Sequence, residues 1–79
     1  MKILDSLTDY IYDKEMSIHI YEKRVNIVNY KEISNFSSTK IVLTYQNGTI
    51  TVNGKQLVVS KLLNNEVLIS GEIKQIELG

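Results

Sequence analysis

Two rhythms of apolar residues divide the chain near Met16. Ahead of it Ile3, Leu4, Leu7, Tyr10 and Ile11 recur at intervals that gather them on one helical face. Asp5, Asp9 and Asp13 step by four along the opposite face, which reads as a solvated surface. The pattern predicts a short amphipathic α-helix within residues 1–15. A helix of about ten residues is not stable alone in water. Its apolar face, centred on Leu4, Leu7 and Ile11, therefore needs a receiver, either the protein's own sheet or a partner protein or membrane surface.

From Met16 onward the period becomes two. Ile18 and Ile20 alternate with Ser17, His19 and Tyr21, and Val25 and Ile27 follow the polar turn Glu22-Lys23-Arg24. Ile41, Leu43 and Tyr45 alternate with Val42 and Thr44. Ile50 and Val52, Leu57 and Val59, and Val67 and Ile69 continue the beat, and a last run extends from Ile73 to Leu78. Asn47-Gly48, Asn53-Gly54, Asn64-Asn65 and Ser70-Gly71 punctuate these runs as turn signals, Asn-Gly being the strongest short hairpin signal. Residues 16–79 are thus expected to form a single all-β domain. Its fold would be mainly an antiparallel β meander of about six or seven short strands, preceded by the one short N-terminal α-helix. The core should hold Ile18, Ile20, Val25, Ile27, Ile41, Leu43, Ile50, Val52, Leu57, Val59, Val67, Ile69 and Ile76, which share the buried phase of their strands. Val42, Val58 and Leu68 sit on the other phase and imply cover on both faces over part of the sheet.

One segment breaks the alternation. The strand over Val25-Asn26-Ile27-Val28 halts at Asn29, passes through Tyr30 and Lys31, and resumes its apolar beat at Ile33. Asn29 tolerates positive φ and can bond its own backbone, so it should turn the chain and display Tyr30 and Lys31 at the bend. A packed turn tyrosine is one reading. A partner contact is the other, because an aromatic beside a cation suits an interface anchor. Asn29, Tyr30 and Lys31, with Leu4, Leu7 and Ile11, are the candidate partner contacts.

Composition narrows the classes. Nine Lys and Arg balance nine Asp and Glu, so no global field draws in nucleic acid or an anionic membrane. The absence of cysteine removes disulfides and Cys-based zinc sites as staples, and a small domain without staples gains from self-association. A homo-oligomer is expected. No stretch approaches the ~20 apolar residues of a transmembrane segment, and no signal peptide is legible, so a cytoplasmic location is expected.

Chemistry is sparse. His19 stands mid-strand between Ile18 and Ile20, with only Glu15 and Glu22 near it in sequence, which is too little for a general base or metal ligand. The Asn-Gly pairs lack the following helix of a phosphate loop. No catalytic residue, cofactor or metal site is expected, and the reading is non-enzymatic. Lys40, Lys55 and Lys61 are the only charges between Ile33 and Asn65. With Tyr21, Tyr30 and Tyr45 they leave a small nucleic-acid-binding β-barrel open as an alternative, though the funnel is weak. A homo-oligomeric adaptor is a further alternative.

The order of segments resembles the YabP/YqfC family of small sporulation proteins of endospore-forming Firmicutes. Val25-Asn26-Ile27-Val28-Asn29-Tyr30-Lys31 is similar to that family's apolar-x-Ile-x-Asn-His-basic segment. Gly48-Thr49-Ile50-Thr51-Val52-Asn53-Gly54-Lys55-Gln56-Leu57-Val58-Val59 resembles its Gly-punctuated central run, and Val67-Leu68-Ile69-Ser70-Gly71-Glu72-Ile73 through Ile76-Glu77-Leu78 its closing one. The helix-first order and the Asn-aromatic-basic segment resemble the YqfC-like branch. Tyr30 stands where the family has histidine, and no Leu-Pro segment introduces the first strand. The resemblance implies a non-enzymatic protein of the mother cell, peripheral to the membrane around the forespore. Protein partners are implied, a sporulation membrane protein among them, and no nucleic acid.

Overall fold

The computed structural model describes residues 15–79. The predicted N-terminal helix, with Leu4, Leu7 and Ile11, falls outside the described residues. The rest is an antiparallel six-stranded sheet: β1 (Ser17–Ile20), β2 (Arg24–Val28), β3 (Glu32–Phe36), β4 (Lys40–Tyr45), β5 (Gly48–Leu62) and β6 (Glu66–Leu78). The strand order is β1-β2-β6-β5-β4-β3. The expected continuous meander holds from β3 to β6 and fails between β2 and β3, which lie on opposite flanks. Its failure has a cause in strand length. At 15 and 13 residues, β5 and β6 are long enough to serve two neighbours each. β4 pairs with the first part of β5, Gly48–Asn53, whereas β2 pairs with the first part of β6, Glu66–Ser70.

The long hairpin bends in its middle, and the sheet doubles over on itself. One half contains β1, β2, the start of β6 and the end of β5; the other contains β3, β4, the start of β5 and the end of β6. Register then aligns the apolar phases. Val25 pairs with Ile69 and Ile27 with Val67 in the first half, Ile41 with Val52 and Leu43 with Ile50 in the second. These eight side chains are fully buried and, with Leu57, form one cluster spanning both halves. Paired residues in antiparallel strands project to the same face, so two such faces apposed make a core without any helix.

All nine buried residues belong to the expected core. Ile18, Val59 and Ile76 pack against it from its margin. Ile20 does not: it is 65% exposed. It pairs with Val25 and shares its face, but it ends the short strand β1, and among the described residues no opposing strand reaches over it. On the outer phase Val58 is exposed, and Val42 and Leu68 are half-buried. The doubling of the sheet covers the inner phase and leaves this one to solvent.

Three turn signals resolve differently from expectation. Tyr45 pairs with Gly48, so the first hairpin turns at Gln46-Asn47, one residue early, and neither residue has positive φ. Gly54 and Gly71 are not in turns at all but lie inside β5 and β6, where register shifts mark bulges. Gln56 and Gly71 carry positive φ, 53° and 137°. A Cβ on Gly54 would run into the Glu72 carbonyl oxygen, and one on Gly71 would lie 2.6 Å from that of Gln56. Bulges bend strands, and here the missing side chains let the two bent strands stay in contact. Neighbouring loops are stitched to the bend: the backbone N–H groups of Gly54, Leu57 and Gly71 donate to the carbonyls of Thr39, Ser38 and Lys23 at 3.0, 2.8 and 3.0 Å.

On the bend Lys74 hydrogen-bonds Glu72 at 2.7 Å and holds its carboxyl below the ordinary range. A lowered carboxylate pKa stabilises the fold above the unfolded value and loses that effect as pH falls through the folded one. Both groups are open to solvent, so this acid-side effect is small.

Replacing Gly54 with Ala should lower stability by about 2–4 kcal/mol, because the clash is with backbone that cannot rotate away. Urea denaturation followed by circular dichroism measures it, with Lys55→Ala as the control expected to stay within ~0.5 kcal/mol of the parent. An unchanged midpoint for Gly54→Ala would show that the bend has slack.

Candidate interaction site at the join between the halves

The chain passes from β2 to β3 through Asn29, Tyr30 and Lys31, and these three residues span the two halves of the doubled sheet. Val28 is the last paired residue of β2, opposite Glu66 and Ser17. Asn29 then takes φ 64°, the left-handed conformation its short amide tolerates. Its N–H donates to the Asn65 carbonyl at 2.6 Å, which ties it to the β5–β6 turn. The side chain bonds other segments rather than its own backbone. Its Nδ2 donates to the Glu15 carbonyl at 2.8 Å, and its Oδ1 accepts from Asn65 Nδ2 at 3.3 Å. Two residues later the Lys31 N–H donates to the Thr44 carbonyl at 2.7 Å, in the other half. The segment is a clasp with one end on each half.

Tyr30 sits between these anchors. Its ring packs against the core, and its hydroxyl donates to the Leu63 carbonyl at 3.2 Å. It lines a shallow groove with Leu62, Leu63, Asn64 and Asn65. Leu62 and Leu63 are 59% and 49% exposed, and Lys31, the residue after Tyr30, is exposed as well. A fixed aromatic ring and two open leucines therefore share one groove. The sequence reads Leu62-Leu63 either as a short exposed corner or as the lid of the core, and both side chains are exposed; nothing in the linear order puts Asn65 beside Asn29, 36 residues away.

Elsewhere the charges interleave. Lys55 pairs opposite Glu72. Lys61 lines a small outer-face cleft with Tyr21, Arg24, Asn26, Glu66 and Leu68, in which Asn26 Nδ2 donates to Glu66 at 2.7 Å. The Arg24 guanidinium lies 4.4 Å over the Tyr21 ring. Tyr30 and Tyr45 pack against the core. The three lysines and the tyrosines thus do not converge on one basic stacking surface. His19 is exposed and its ring meets the Ser17 hydroxyl at 3.4 Å. Among the described residues no three His, Asp or Glu side chains gather into a metal-holding group, and no helix is long and apolar enough to cross a membrane.

The described residues form an all-β domain whose doubled sheet is clasped at one end beside an apolar and aromatic groove. Residues 13–79 match the model of the YabP family, and the chain belongs to that family. Membership points to a role in sporulation. No curated protein matches the chain.

Asn29→Ala should cost about 1–3 kcal/mol, combining the left-handed φ with the loss of the Glu15 and Asn65 hydrogen bonds. Asn29→Gly should recover the backbone part alone. Chemical denaturation of the three proteins in parallel separates the two contributions; equal losses for Ala and Gly would mean that φ contributes nothing.

Proposed function

We propose that the chain is a non-enzymatic interaction and assembly factor of sporulation, of the YqfC-like kind. It acts in the mother cell at or near the membrane that surrounds the forespore. Family membership over nearly the whole β domain supports the sporulation part of this reading. The observation that carries the interaction part is the groove of Tyr30, Leu62 and Leu63, with exposed Lys31 next to Tyr30 in the chain. Its aromatic ring is already held by packing and by the Leu63 hydrogen bond. A partner would find that anchor preorganised, with no ordering cost left to meet. A sporulation membrane protein exposing an apolar segment fits the groove.

Self-association has its own support. Among the described residues β1 and β3 are the edge strands of the sheet, and β3 carries Phe36 at 59% exposure. An edge strand of this kind offers a template for a second copy.

The test is a fluorescent fusion followed through sporulation in the native host. The parent protein should gather around the forespore, and deletion should impair spore development. The double variant Lys31→Glu, Leu62→Asp, altered only at exposed positions, should keep its β circular dichroism and become diffuse. Uniform signal from the parent fusion, together with normal spores after deletion, would overturn the reading.

A further inference from the structure

Two identical dipeptides sit in opposite chemical surroundings. Of the seven asparagines in the chain only Asn47 and Asn53 precede a glycine. An asparagine before glycine is open to attack by the backbone on its own side chain, since no Cβ shields the glycine nitrogen. Asn53-Gly54 lies inside β5, with Asn53 opposite Lys40 and Gln75 and Gly54 opposite Ile73. The Gly54 N–H donates to the Thr39 carbonyl at 3.0 Å, and Asn53 Nδ2 donates to Glu77 at 3.3 Å. Attacking nitrogen and target amide are both held there. Asn47-Gly48 is placed otherwise. Asn47 is exposed in the two-residue β4–β5 turn, and Gly48 belongs to the last pair of that ladder, opposite Tyr45. Pairs at a ladder's end open most readily, whereas Asn53 is released only when the sheet opens around it.

We propose that Asn47 is a site of spontaneous covalent modification, converting to aspartate and isoaspartate with water as the co-reactant, and that Asn53 is protected from it. The Gly48 nitrogen, losing its proton to solvent, attacks Asn47 Cγ. The N–Cγ bond forms, the Cγ–Nδ2 bond breaks, and Nδ2 leaves as ammonia with a proton taken from water. Water then opens the resulting succinimide. Opening at Cγ leaves aspartate; opening at the main-chain carbonyl leaves isoaspartate, whose backbone runs through the side-chain methylene. No oxidant or reductant takes part. Either product adds a negative charge to the stretch from Ile33 to Asn65, whose only charges are Lys40, Lys55 and Lys61. Isoaspartate also lengthens the turn by one backbone atom and displaces the Tyr45–Gly48 pair. The next pair is Thr44 with Thr49, and the Thr44 carbonyl is the one that accepts from Lys31 in the clasp. The modification thus loosens the clasp from the β4 side, slowly and in one direction.

The proposal does not rest on the sporulation reading. Purified full-length protein is incubated in warm neutral buffer, folded or in urea, then digested for peptide mass spectrometry with isoaspartate detection. In urea Asn47 and Asn53 should convert at similar rates. In the folded protein Asn47 should continue to convert while Asn53 falls about tenfold or more behind it. Conversion should quicken as pH rises, because the attacking nitrogen must lose its proton. Aged protein should unfold at lower urea than fresh protein. Asn47→Gln, whose longer side chain cyclises far more slowly, should age without that shift. Equal rates at the two asparagines in the folded protein, or conversion at Asn47 only in urea, overturn the proposal. An unchanged midpoint in aged protein that carries isoaspartate at position 47 overturns the link to the clasp.

Discussion

Two glycines face opposing carbonyl oxygens at the middle of the long hairpin, and the rest of the fold depends on that approach. Gly54 lies against Glu72 and Gly71 against Gln56 at distances no Cβ would permit. Because the strands can pass the bulges while staying paired, one hairpin supplies segments to both halves of the sheet. The apolar phases of β2 and of β4, which never pair with each other, then meet through their side chains across a single core. A straight hairpin would leave each half with one face open to water. The bend therefore does for this short chain what a covering helix does in other sheets.

The clasp at Asn29 is the counterpart at the opposite end. Asn29 bonds Asn65 and Glu15 in one half, and Lys31 bonds Thr44 in the other. Only three residues separate β2 from β3, so the link can span the halves only if the chain reverses direction sharply, and the left-handed conformation at Asn29 provides the reversal. Structure and candidate function coincide here. The same geometry that fastens the halves holds Tyr30 in place beside Leu62 and Leu63.

Much of this was legible in the chain and some of it could not be. Strand phase was, because a period of two survives wherever one face is buried, and it identified every fully buried residue. Positive φ at Asn29 was legible from the residue type and the broken alternation. Gly54 and Gly71 were not, since a glycine after a polar residue signals a turn and a bulge alike, and only the partner strand decides between them. The pairing of β2 with β6 was hidden for a similar reason: about 40 residues separate the partners, and local pattern carries no information about which edge a strand will find. Ile20 obeys its strand's alternation and is nonetheless exposed, because burial at a sheet margin depends on what lies opposite.

The pairing of β2 with β6 also fixes an order of events during synthesis. Val25 and Ile27 rest on Ile69 and Val67, which are made only after all the strands between them. Until Glu66–Ser70 has left the ribosome, the β1–β2 hairpin has no third strand, and a lone hairpin is at best marginally stable in water. The half built around β4 must wait too, since the end of β6 completes it by pairing Leu78 with Ile50. Neither half can therefore mature ahead of the other. Until then the apolar strands are available to any neighbour being made beside them.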